Sequence, residues 1–184
     1  MHLDSFAYEG NMARKELNEA LQGYNQLILS PERLLDRKEF NYVREQVALS
    51  RKGVEKWRSD MDQVYTRFMN KVKAVDVPVH ELDPQISILN SAISEQRDFD
   101  KKLTGLVDKQ SQCTLEVIDL LEESEWQWEP ELGTILFELD ADNDRFNDIY
   151  ERSSQHGEEF MILVRELGGK EAVDAVLERV AQSR

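Results

Sequence analysis

Five acids in one twelve-residue window, Asp140, Asp142, Asp144, Asp148 and Glu151, are the residues of this chain best suited to chemistry. Hard divalent cations take carboxylate oxygens at close, regular spacing. Counted from Asp140, these acids occupy positions 1, 3, 5, 9 and 12 of a twelve-position calcium loop. Such a set would serve calcium binding, or a metal-dependent enzyme drawing on the acids of 138–151. Two positions oppose that reading. Position 6 needs glycine for a sharp turn and is Arg145; position 8 is normally aliphatic and is Asn147. Leu139, Phe146 and Ile149 also recur at helical spacing through the window, and one backbone cannot be both a tight loop and a helix. The helix is the expected form. No metal and no other cofactor is expected, and the five acids stand as the candidate ligands if one binds.

A second constellation lies further along the same segment. Asp142, Ser153 and His156 fall on its apolar seam, where buried polar groups must find partners. They would line a polar pocket for a small ligand, with His156 able to change charge near neutral pH. A third is Trp126 and Trp128, set among Glu122, Glu123, Glu125 and Glu129. Residues two apart face opposite sides of a helix but one side of an extended strand. As a loop, the two indoles either plug the end of a helical core or offer an aromatic anchor, ringed by acid, to a basic partner.

Other chemistries lack their residues. His2, His80 and His156 each have no glutamate three positions before them, as a di-iron bundle would require. No glycine-rich phosphate loop or zinc pattern occurs, and Cys113 is the one cysteine, placed at a core-like helical position. The fragment Glu131-Leu132-Gly133-Thr134-Ile135-Leu136-Phe137 resembles part of the metal-binding helix of all-α nucleoside triphosphate pyrophosphohydrolases. That family's pattern closes on Glu-x-x-Asp. Here the aspartate is Thr134, and the upstream acids Glu122 and Glu125 lie too near for a separate helix, so membership is not claimed.

Charge is unevenly spread. The chain carries −14 overall; residues 31–75 hold eleven bases against seven acids, whereas 116–160 hold fifteen acids against Arg145 and Arg152 alone. A −13 field in one quarter of the protein repels nucleic acid and anionic lipid and attracts a basic partner or a cation. No run of eighteen apolar residues spans a bilayer. Met1-His2-Leu3-Asp4 begins with neither a basic region nor an apolar core, so no signal peptide is expected there, and the compartment stays open.

The elements that must position these groups are helices. Only 8 Gly and 4 Pro occur, and Pro31, Pro78, Pro84 and Pro130 all fall between apolar repeats. Val43, Val47, Ser50, Val54, Trp57, Met61, Val64, Phe68 and Val72 advance in threes and fours. So do Ile86, Leu89, Ile93, Gln96, Phe99, Leu103, Leu106, Gln110, Cys113, Val117 and Leu120. The pattern predicts helices at 4–28, 31–75, 84–122 and 131–167, with Gly168-Gly169 ending the last and a short fifth helix at 170–182. The fold expected is a single all-α domain over 1–184: an elongated, antiparallel up-down four-helix bundle with a short C-terminal helix.

Three functions fit. The first is a non-enzymatic interaction module, receiving a protein with a basic surface on its acidic fourth helix or tryptophan loop. Self-association through the off-seam Leu34, Leu35, Tyr42 and Leu49 would accompany it. The second is a ligand-binding sensor bundle of a cell-envelope protein, and the third a metal-dependent enzyme.

Overall fold

The computed structural model describes residues 8–13, 15–19, 22, 35–74, 79–131 and 133–182, of which 79–85, 164 and 166–182 are described as backbone only. Helical residues 8–13 and 15–19 form α1. A 3₁₀ turn, Arg37–Glu39, leads into α2 (Phe40–Lys73); then come α3 (Val79–Glu123), β1 (Trp126–Glu129), β2 (Thr134–Phe137) and α4 (Asp140–Gln182). The protein is predominantly helical. Expectations resting on Leu3, Pro31, Leu34, Pro78 and Leu132 lie outside the described residues, as does that on the side chain of His80.

Burial follows the heptad seam closely on α2 and only in part on α3, where Asp100, Thr104, Ser111, Ile118 and Leu121 are buried off it. On α2, Val43, Val47, Ser50, Val54, Val64 and Phe68 are buried; on α3, Ile93, Leu106, Cys113 and Leu120 are. Apolar side chains every three or four residues line one stripe of a helix, and covering that stripe drives the packing. The residues group into two compact units, 1–21 with 52–105 and 22–51 with 106–184.

In the first unit Tyr65, Phe68, Met69 and Ile93 form a small core, with Met61, Val72, Ile86 and Leu89 packed on it. Glu9 of α1 accepts from Arg67 of α2 at 2.7 Å, and Lys56 bonds Glu16. Because 9 pairs with 67 and 16 with 56, α1 and α2 run antiparallel here.

The second unit has the larger core: Phe40, Val43, Val47, Cys113, Ile118, Leu120, Leu121, Ile135, Phe137 and Ile149. Complete burial of Ile118 and Leu121 contributes about 2 kcal/mol apiece. Its ion pairs again reverse in order. Arg44 meets Glu122 and Arg51 meets Asp108, while Glu123 meets Arg145, Glu116 meets Arg152 and Lys109 meets Glu159.

Four boundaries differ from expectation: over 35–39 the helix placed at 31–75 is replaced by an extended Asp36 and a 3₁₀ turn, and α2 begins only at Phe40. The helix placed at 131–167 begins at Asp140, because 126–137 is a two-stranded antiparallel hairpin with Trp126 opposite Phe137 and Trp128 opposite Ile135. Ile135 and Phe137 alternate buried with half-buried neighbours, a period of two that the coincident 3-4 spacing of Leu132, Ile135 and Leu139 concealed. Gly133, at φ +62°, makes the left-handed turn that the hairpin needs. Next, α3 starts at Val79, so Asp83-Pro84 lies inside its first turns. Pro84 is the sixth residue of the helix, so it removes one i→i−4 hydrogen bond, to the His80 carbonyl, close to the helix end. Last, 170–182 is helical as expected but continues α4 through Gly168-Gly169 without a break.

Candidate functional site

The EESEWQWEP stretch folds from its local chemistry. Glu123 ends α3, and the Ser124 N–H donates to the Leu120 carbonyl at 3.0 Å. A helix end leaves its last carbonyls without partners, and the Trp126 indole supplies one: Nε1 donates to the Leu121 carbonyl at 2.7 Å. Arg37 closes the corner, donating from Nη2 to the Ser124 carbonyl at 2.9 Å with its guanidinium 5.8 Å from the Trp126 ring centre. Trp126 thus belongs to the core, packed against the second unit's apolar cluster. Trp128, two residues on and on the same hairpin face, is 43% exposed. The two tryptophans share a side, as an extended strand requires, but have separate roles: one plugs and one is displayed.

The hairpin's other face is acidic. Glu125, Gln127 and Glu129 alternate with the tryptophans, and Glu138 lies across from Glu125. Exposed Glu131 follows at the turn. The acids then pass onto α4. Its first turn carries Asp140 and Asp142, where negative side chains complement the positive end of the helix, and the Leu139 carbonyl accepts from the N–H groups of Asp142 and Asn143. That accounts for the aspartate run without a calcium loop, because Arg145 and Asn147 are simply helical.

On α4 the residues 142, 146, 149, 153, 156, 160 and 163 turn inward, while Asp140, Asp144, Asp148, Glu151 and Glu158 form an exposed row on the other side. Asp148 is paired with Arg152 at 2.9 Å and Asp142 lies 3.6 Å from Arg145; Asp140, Asp144, Glu151 and Glu158 have no ion-pair partner among the described residues. One helical turn separates successive acids from Asp140 to Glu151, and two turns separate Glu151 from Glu158. Among the described residues, no three His, Cys, Asp or Glu side chains gather into a group that could hold a metal ion. No helix among them is long and apolar enough to cross a membrane.

The polar residues Ser153 and His156 of α4 are half-buried, and one of them is bonded to α3. Gln110 of α3 donates from Nε2 to Ser153 Oγ at 2.7 Å, while Gln110 Oε1 and His156 Nδ1 are buried with no hydrogen-bond partner among the described residues. Ser50 and Ser111, each fully buried, also leave Oγ without a partner among the described residues. Nearby, Arg152 grips Glu116 at 2.5 Å and holds its carboxyl below the usual range. Burial pushes the Cys113 thiol up, as suits an inert core cysteine. Leu35 and Tyr42 pack on the core, whereas Leu49 is 50% exposed.

One site went unforeseen in the sequence. In the first unit a groove of about 590 Å³ is lined by Glu55, Arg58, Asp62, Tyr65, Arg97 and Asp100, among others. Asp100 is 3% exposed; it accepts from the Tyr65 hydroxyl at 3.0 Å and from Gln96 Nε2 at 3.1 Å. Burial raises its carboxyl above the ordinary range, and the two hydrogen bonds oppose the shift. Arg97 is occupied by Asp62 at 2.8 Å and lies over the Tyr65 ring. Asp62, Arg97 and Asp100 are thus partnered within the groove, whereas Glu55 and Arg58 have no ion-pair partner among the described residues. The only signal for it in the sequence was Gln96 and Asp100, polar residues four apart beside an apolar seam.

The chain matches no family model, no curated protein and no solved structure.

Proposed function

We propose that this protein is a non-enzymatic interaction module that receives a basic segment of another protein on the acidic surface of its second unit. The observation that carries this reading is the run of exposed carboxylates from the hairpin through α4, beside a displayed Trp128. Glu125, Glu131, Glu138, Asp140, Asp144, Glu151 and Glu158 have no ion-pair partner among the described residues. Desolvating an indole next to uncompensated acid suits a lysine- or arginine-rich partner, with steering at low salt. We take the scaffold to be of the antiparallel up-down four-helix kind; the reversed order of ion pairs along α2, α3 and α4 supports it.

The test uses a lysine-rich peptide as probe. Asp144→Asn with Glu151→Gln and Glu158→Gln should weaken its binding about tenfold at low salt. Neutralising three exposed acids of the first unit, Glu95, Asp98 and Glu55, should change it little. Equal losses from both triple variants would reduce the effect to net charge and end the proposal.

A second reading rests on the unpartnered Gln110 Oε1 and His156 Nδ1: a sensor-type bundle that holds a small polar molecule at this layer. His156→Leu tests it. A raised melting temperature together with unchanged responses to a panel of small metabolites would dismiss that reading.

A further inference from the structure

The hairpin has two edges, and they are not equivalent. The Glu138 N–H donates to the Glu125 carbonyl at 3.1 Å, so residues 125 and 138 form a hydrogen-bonded pair. In an antiparallel ladder such pairs alternate with pairs whose N–H and C=O groups point away from each other. With the observed register, Trp126–Phe137 and Trp128–Ile135 are the outward pairs. On the β2 edge, Asn143 Nδ2 of α4 reaches within 3.4 Å of the outward Phe137 carbonyl, where the chain turns into α4. On the β1 edge, the backbone groups of Trp126 and Trp128 have no partner among the described residues.

We propose that this open β1 edge takes up an extended segment of the partner as a third strand, in which basic and apolar residues alternate. The inference rests on the acidic-docking reading above and gives it a geometry. Side chains directly opposite one another in a sheet share a face. Residues of the incoming strand set against Trp126 and Trp128 therefore lie on the indole side, where an apolar side chain covers the exposed Trp128. Their neighbours lie beside Glu125 and Glu129, where lysine or arginine is required. A second copy of this chain is disfavoured at the same edge, because its own Glu125 and Glu129 would meet these acids.

The probe is an acetylated, amidated octapeptide alternating lysine and valine, compared with two versions N-methylated on the valine amides or on the lysine amides. In antiparallel addition the valine N–H groups point to the Trp126 and Trp128 carbonyls and the lysine N–H groups point away. The parent and lysine-methylated peptides should bind, alter Trp128 emission and slow hydrogen exchange of the Trp126 and Trp128 amides. Methylation of the valines should weaken binding about tenfold or more. Loss on lysine methylation instead supports strand addition in the parallel sense. If all three bind alike and the α4 triple variant weakens all of them, strand addition is overturned and acidic docking stands. If none binds at about 1 mM, both fall. If the two amides are protected without peptide and mass rises with concentration, the edge belongs to a second copy and the proposal is overturned.

Discussion

Asp100 and Trp126 show how much a single side chain can decide here. Asp100 is a carboxylate enclosed in the first unit, and its folded-state pKa lies above the unfolded value because burial disfavours the charge. A group raised in this way contributes its stability below the unfolded pKa and loses it as pH rises through the folded one. Asp100→Asn removes the ionisation while keeping an amide for Tyr65 and Gln96. It should be as stable as the parent at pH 7 or up to about 1 kcal/mol more so. That margin should shrink as pH falls through the carboxylate range, which urea melts at a series of pH values will measure. Asp100→Leu leaves the Tyr65 hydroxyl without its acceptor and should cost about 2 kcal/mol. Trp126→Phe keeps most of the packing but strands the Leu121 carbonyl, and should cost about 1–2 kcal/mol in the same assay.

The hairpin is the element on which the proposals depend, and it stands on one backbone conformation. Gly133 has φ +62°, and an added Cβ would meet nothing within 4 Å, so the penalty of a side chain there is conformational and not steric. Gly133→Ala should cost roughly 1–2 kcal/mol. The loss should appear first as faster hydrogen exchange at Gln127 and Leu136, while the helical amides of Ile118 and Leu120 are little affected. Between α3 and α4, Glu116 is held below the usual carboxylate range by Arg152. Its contribution is present above the unfolded pKa and is lost as pH falls through the folded one. Arg152→Met should therefore flatten the acid limb of the stability profile. At neutral pH the cost should be only about 1 kcal/mol, because the pair is partly exposed.

For the molecule entire, separate cores imply separate stabilities. The ten-residue core of the second unit should hold its amides longer against exchange than the smaller core around Phe68. Phe68→Ala should then speed exchange across 61–72 and 86–93 before it affects 113–121. Calcium or magnesium at millimolar concentration should raise the melting temperature no more than sodium chloride of equal ionic strength, since no described trio of ligands gathers. A shift specific to the divalent ion would return the acids of α4 to the list of ligands.

The long helices could be read from the chain alone, because a 3-4 apolar rhythm kept up over thirty residues has one low-energy solution in water. The seam of α2 from Val43 to Phe68 is buried as its spacing required, except at the half-buried Trp57 and Met61. The acidic character of 116–160 was equally plain, since charge is additive and needs no coordinates. The hairpin was not legible, because four-residue strands carry too few positions to distinguish a period of two from one of three and a half. Ile135 satisfied both. Nor could composition say which tryptophan is enclosed and which displayed, as that depends on where the end of α3 leaves a carbonyl unpaired. The open β1 edge is likewise a property of register and of the helix packed against its partner strand. Side-chain pattern determines local structure through burial; which backbone edges stay free is settled only when distant segments meet.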